Sequence, residues 1–125
     1  GFCVRAGRLL CVHDPEKERW GIPGGRVKHG EPLMDALRRE LREELGIEPT
    51  AVSGAPVWAW DGVTTNSGHY VIGIAYRIEI DADAIRPSDG NDRYGWFTAD
   101  ELTALPMANV HKPAYIAYLR SLSES

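Results

Sequence analysis

The sequence predicts an α+β fold, a mixed β-sheet packed between helices. Three observations carry this reading. Runs rich in β-branched and aromatic residues, at 2–4, 8–13, 51–61, 69–80 and 93–97, read as strands. A stretch of helical periodicity at 32–45 falls between the second and third runs. Two more helices, opening near Thr98 and Pro113, close the chain. The order is therefore β-β-α-β-β-β-α-α, with no repeats and no low-complexity tract.

Each element has its own signal. Residues 2–4 and 8–13 flank an Ala6-Gly7 turn and form a hairpin. Residues 14–19 are a charged loop, and 20–30 a glycine-rich loop with a short strand at its centre. Pro32 suits the first helical position, where its missing N–H costs nothing, and Gly46 suits the stop. The strand at 51–61 places Trp58 and Trp60 on one face. A polar loop at 62–68 leads into the longest strand, 69–80. Residues 81–92 form an acidic loop holding Pro87, Gly90 and the aspartates Asp81, Asp83, Asp89 and Asp92. After the short strand 93–97, Thr98 and Glu101 make a capping box for a helix that Pro106 ends. The last helix, 113–122, turns Ile116 and Leu119 inward.

Composition narrows the function classes. The 125 residues fit one domain, 1–125, and a 43% apolar fraction is enough for a real core. A net charge of −4 argues against broad binding to nucleic acid. No apolar run is long enough to span a membrane, and no signal peptide pattern is present. Cys3 and Cys11 lie in apolar stretches and read as buried free thiols of a cytoplasmic protein. The histidines His13, His29, His69 and His111 have no metal-ligand spacing. Native residues are expected ahead of Gly1, because the chain begins without a methionine. A homodimer is compatible with this composition.

The densest information lies in residues 25–47. Glu31, Glu40, Glu43 and Glu44 are four carboxylates that can converge. The last three fall within an arc of roughly 100° on one helix. Like charges at i, i+3 and i+4 destabilise a helix by a few tenths of a kcal/mol per pair. A solvated face paired with Arg38, Arg39 and Arg42 is one way to offset this. A hard divalent cation with oxygen ligands is the other. The carboxylates border an apolar stripe of Leu33, Met34, Leu37, Leu41 and Leu45 instead of opposing it, which favours a cleft rim.

This segment resembles the signature of the Nudix hydrolase family, G-x5-E-x7-R-E-U-x-E-E-x-G-U, with U a bulky aliphatic. Gly25, Glu31, Arg39, Glu40, Leu41, Glu43, Glu44, Gly46 and Ile47 match it without departure. The preceding Trp20-Gly21-Ile22-Pro23-Gly24 resembles the usual approach to this box. The resemblance implies an α/β/α sandwich and hydrolysis of a phosphoanhydride in a nucleoside diphosphate linked to another group. It implies Mg2+, with Mn2+ as a substitute, held by Glu40, Glu43, Glu44 and the Gly25 carbonyl. It implies that Arg39 orients a helix glutamate and that Glu31 supports the loop and metal site. For the general base, Glu40 is the first candidate and Glu43 the second. Family members also use a carboxylate from a later loop, here Asp89 or Asp92; a solvated turn is the ordinary role for these two and for Asp81 and Asp83.

The box supplies no recognition of the base, so that must come from elsewhere. Trp58, Trp60, Tyr70, Tyr94, Trp96 and Phe97 offer ring faces, at about 1–3 kcal/mol per stacked base, although strand aromatics commonly serve the core. Arg5, Arg8 and Lys28 offer charge for phosphates. Markers of the ADP-ribose, dinucleoside-polyphosphate and NADH subfamilies are missing downstream of the box. A (d)NTP cleaved to NMP and pyrophosphate is therefore the expected reaction, with ADP-ribose, nucleotide sugars or dinucleoside polyphosphates as alternatives. Two other classes remain: a nucleotide-sensing domain without turnover, which the intact glutamate set opposes, and a structural module, which weak Mg2+ affinity would reveal.

Overall fold

The computed structural model describes residues 1–86 and 93–123. The chain opens with β1 (Val4–Arg5) and β2 (Arg8–Asp14). Ala6 and Gly7 both take positive φ, 49° and 74°, as a two-residue turn matched to strand twist requires. Then come β3 (Arg19–Gly21), α1 (Leu33–Leu45), β4 (Ala51–Val52), β5 (Trp58–Val63), β6 (Tyr70–Ala75) and β7 (Ile78–Glu79). A single 3-10 turn at Ala82–Ala84 precedes the undescribed residues 87–92. The chain closes with β8 (Arg93–Phe97), α2 (Ala99–Ala104) and α3 (Lys112–Ser123).

β2 is the organising strand. β8 pairs along residues 9–13 of it, while β1 and β3 take its other edge at opposite ends. β5 pairs with β6 over six antiparallel steps, and β4 with β7 over two. A parallel bridge between Phe2 and Arg77 ties the start of the chain to the segment between β6 and β7, through Phe2 N–H to the Tyr76 carbonyl at 2.7 Å and Ile78 N–H to the Phe2 carbonyl at 2.9 Å. The sheet is mixed for this reason.

Both faces of the sheet are covered. Residues 9–13 are all buried, and they alternate between two cores. Leu10 and Val12 pack with Leu37, Leu41, Leu45, Ile78 and Ile80 under α1. Leu9 and Cys11 pack with Phe2, Leu102, Tyr115 and Tyr118 under α2 and α3. Cys3 and Cys11 are buried free thiols, and burial pushes the Cys11 thiol up to about 12.

Several boundaries differ from the expected ones. The strand expected at 51–61 is split into β4 and β5. Ser53 Oγ donates to the Ala55 carbonyl at 2.8 Å, and Pro56 has no N–H for a ladder. The strand expected at 69–80 divides into β6 and β7, where the Phe2 bridge replaces the hairpin partner. The short strand of the glycine-rich loop lies at its start, not its centre. Pro32 is the N-cap of α1 and not its first residue, while Gly46 is the expected left-handed stop (φ 66°), its N–H on the Arg42 carbonyl. Leu33 is 41% exposed, so the buried stripe of α1 is Ala36, Leu37, Leu41 and Leu45. The capping box of α2 forms in both directions, Glu101 N–H to Thr98 Oγ1 at 3.2 Å and Thr98 N–H to Glu101 Oε1 at 2.8 Å.

Candidate functional site

Two elements bring the box residues together: α1 and the loop at 24–31. Arg39 is the hub. Its Nε donates to Glu31 Oε2 at 2.8 Å and its Nη2 to Glu31 Oε1 at 3.1 Å. Its Nη1 donates to Glu40 Oε1 at 2.8 Å and to Glu43 Oε2 at 3.2 Å. Nη2 also reaches the Arg26 carbonyl at 3.1 Å. One planar guanidinium therefore joins the loop to the helix, a task that a point-like ammonium performs poorly.

The side chains of Glu31, Arg39 and Glu40 are each 16–17% exposed, and that of Glu43 is 44% exposed. Glu31 also accepts the Lys28 N–H at 3.0 Å. The Arg39 bonds first, and the Lys28 amide second, hold its carboxyl down to about 2. Those same bonds from Glu31 push Arg39 above its ordinary range, so the guanidinium stays charged.

Glu44 lies deeper. Its Oε1 accepts the Gly24 N–H at 2.7 Å. Burial, and then the nearby Glu40 charge, push its carboxyl up to about 8, against the opposing pull of the Gly24 amide. Gly24 has φ 146°, a conformation that favours glycine. Gly25 gives the Glu40 carboxyl its place, because a Cβ there would sit 2.6 Å from it and turn it aside. The backbone of the loop thus runs directly against the acidic face of α1.

Arg39 brings Glu31, Glu40 and Glu43 together, and Glu44 sits behind them against the loop. The helix carboxylates are turned toward Arg39 and Gly24. Among the described residues, no three His, Cys, Asp or Glu side chains already aim at one metal position. The donor set nonetheless suits a hard cation. It is all oxygen, it includes a half-buried carboxylate whose ionised form burial disfavours and a cation would favour, and the bare Gly25 leaves the backbone within reach of Glu40. Asp89 and Asp92 lie outside the described residues. Asp81 caps the 3-10 turn by accepting the Asp83 N–H, a local structural role.

The aromatic and basic candidates are dispersed. Trp58 and Trp60 face α3, Trp60 Nε1 donating to His111 Nδ1 at 3.0 Å. Phe97 packs edge-on to Trp20, and Arg5 lies over Trp96 while donating to the Ile80 carbonyl. Arg8 pairs with Glu101. Tyr94 is exposed on β8. Tyr70 is 63% exposed and donates to Asp61.

Sequence reasoning passed over Ile72 and Ile74, which are 64% and 45% exposed beside Tyr70. The unbroken apolar run in residues 70–76 was the signal, because one face of such a strand must be accounted for. Alternation identifies the face. Tyr76, Ile78 and Ile80 pack under α1, whereas Ala75 joins the α3 core and Gly73 lies under the Trp60 ring. Tyr70, Ile72 and Ile74 therefore continue the α1 side of the sheet.

A family model described as NUDIX domain matches residues 2–118. A putative 8-oxo-dGTP diphosphatase 2 of Mycobacterium tuberculosis is 36% identical over 111 residues, covering 82% of this chain and 72% of that protein. A MutT-like protein of Streptomyces ambofaciens is 28% identical over 82% of this chain and 64% of its own length. The chain thus spans under two thirds of that relative, and 38% and 43% of two further curated relatives. The crystal structure of a MutT Nudix hydrolase from Burkholderia pseudomallei superimposes with a TM-score of 0.70 at 30% identity, covering 95% of this chain and 91% of that one. No helix among the described residues is long and apolar enough to cross a membrane.

Proposed function

This chain belongs to the Nudix domain family, and from that membership we propose that it hydrolyses a phosphoanhydride of a nucleoside diphosphate linked to a further group. The observation that carries the proposal is the Arg39 hub, which gathers Glu31, Glu40 and Glu43 beside the half-buried Glu44. Glu40, Glu43, Glu44 and the Gly25 carbonyl would hold Mg2+ or Mn2+. When bound, the cation neutralises polyphosphate charge and makes water more acidic.

The protein residues divide the remaining work. Arg39 positions Glu40 and Glu43, and Glu31 anchors Arg39 to the loop. Glu40, or Glu43 in its place, accepts the proton of the attacking water. Water oxygen bonds to the phosphorus next to the nucleoside, and the bond from that phosphorus to the bridging oxygen breaks. The leaving group departs on that oxygen.

The substrate class we favour is a (d)NTP, released as NMP and pyrophosphate. The name of the mycobacterial relative supports a triphosphate. The apolar strip of Tyr70, Ile72 and Ile74 offers a platform for the nucleobase of any such substrate on the same side of the sheet as α1. A nucleotide panel with Mg2+, its products identified by mass, tests this. NMP and pyrophosphate from a triphosphate are the expected products. Preference for ADP-ribose over every triphosphate would move the assignment to the nucleotide-sugar class, and no turnover of any nucleotide would refute the hydrolase reading.

A further inference from the structure

We propose that the opposite face of the sheet, under α2 and α3, carries a second ligand site, for a small aromatic anion. An open groove of about 700 Å3 lies there between β5, α2 and α3. Ligand sites commonly measure about 300–1,000 Å3.

Its floor is apolar: Trp58 from β5, with Pro113, Ile116 and Ala117 from α3. Trp58 is half-buried, and its ring meets Tyr118 at 65° with centroids 5.5 Å apart, which braces the indole. A planar ring entering the groove meets the indole of Trp58.

The lining is also cationic. Lys112, Ile116 and Arg120 recur at a spacing of four on α3 and share one side of the helix. Lys112 Nζ donates to the Leu105 carbonyl at 2.9 Å, which fixes the ammonium and leaves it further donors. The Arg120 contact to Asp100 is 3.5 Å long with the aspartate 95% exposed, a pairing of little strength. Two positive charges in the lining oppose a cationic ligand, and a purely apolar ligand would leave both unused. A ring bearing a phosphate or carboxylate uses the indole and the charges together. Nucleoside monophosphates and aromatic carboxylates share this chemistry. The site is separate from Glu31, Glu40, Glu43 and Glu44, so its failure leaves the reading of α1 untouched.

The test is titration of 15N-labelled protein, without metal, with AMP and separately with indole-3-acetate. The Trp58 indole N–H and the backbone amides of Lys112 and 114–121 should shift and saturate, with Kd below about 1 mM. Shifts with AMP alone identify nucleotides as the source, and shifts with indole-3-acetate alone identify carboxylates. Arg120→Gln should weaken binding at least tenfold while leaving hydrolysis and circular dichroism unchanged. Trp58→Ala should weaken it similarly. The charge variant decides the matter if the tryptophan variant does not fold. Absence of shifts at 112–121 with both ligands at about 10 mM, or undiminished binding by Arg120→Gln, would overturn the proposal.

Discussion

Arg39 grips Glu31 with two parallel hydrogen bonds, Nε to Oε2 at 2.8 Å and Nη2 to Oε1 at 3.1 Å. The partners lie eight residues apart, across the start of α1. The same guanidinium has one nitrogen left for Glu40 and Glu43. The geometry of the loop and the orientation of the helix carboxylates are therefore one variable.

The first prediction follows from this sharing. Arg39→Lys keeps the charge and loses the fork. Positioning residues of this kind typically contribute about 10–100-fold. We expect kcat to fall by at least about tenfold and the 24–31 amides to lose hydrogen-exchange protection. A lysine variant with native exchange and native kcat would remove Arg39 from any positioning role.

The second prediction separates acidic residues by place. Glu43→Gln and Glu44→Gln preserve shape but remove charge on the acidic face of α1. Each should lower kcat by at least about a hundredfold, close to 3 kcal/mol in barrier. Glu101→Gln, in the capping box of α2 and paired with Arg8, should leave kcat nearly unchanged while lowering Tm. Equal kinetic effects in all three would mean that the site is misplaced.

Much of this was legible before any coordinates. Arg39, Glu40, Glu43 and Glu44 sit at spacings that a helix gathers on one side, and Gly46 is the left-handed stop its position suggested. What stayed hidden depends on long-range partners. The Gly24 amide reaches Glu44 across twenty residues, and Trp60 reaches His111 across fifty-one. No local pattern encodes either bond. The break between β4 and β5 turns on the Ser53 hydroxyl, which serves the Ala55 carbonyl and also accepts the Arg77 N–H. Leu33 belongs to the periodic stripe but sits at the exposed first position of α1, beyond the reach of the core.

The third prediction concerns acid. Arg39 holds the Glu31 carboxyl at about 2, below its ordinary 4.5. A value lowered in the folded state means that the folded protein binds this proton less readily than the unfolded chain. The stability gained is complete above about pH 4.5 and is lost as pH falls toward about 2. The Glu31 carboxyl carbon, followed by NMR, should titrate near 2. In Arg39→Lys its midpoint should move up toward 4.5. A wild-type midpoint at 4.5 would show that the clamp does not form in solution.

The fourth prediction concerns the cation. Chelation should abolish hydrolysis, and Mg2+ or Mn2+ should restore it. Added Mg2+ should also raise Tm, because a ligand bound only by the folded state stabilises it. Glu44→Gln should blunt that rise, since it removes one of the proposed ligands. Full activity in excess chelator would end the metal assignment. An unchanged Mg2+ response in Glu44→Gln would exclude that residue from the ligand set.

The fifth prediction locates the bond that breaks. Attack at the phosphorus next to the nucleoside puts the water oxygen on the NMP. Attack at the next phosphorus puts it on the leaving pyrophosphate. The two routes from a (d)NTP yield the same compounds, so only the oxygen distinguishes them. Attack at the phosphorus next to the nucleoside is the regiochemistry of the proposed reaction. Turnover in 18O-labelled water should therefore label the NMP and leave the pyrophosphate unlabelled. Label found only in pyrophosphate would refute this regiochemistry. The metal assignment would survive that result, because attack at either phosphorus draws on the same carboxylates and the same acidified water.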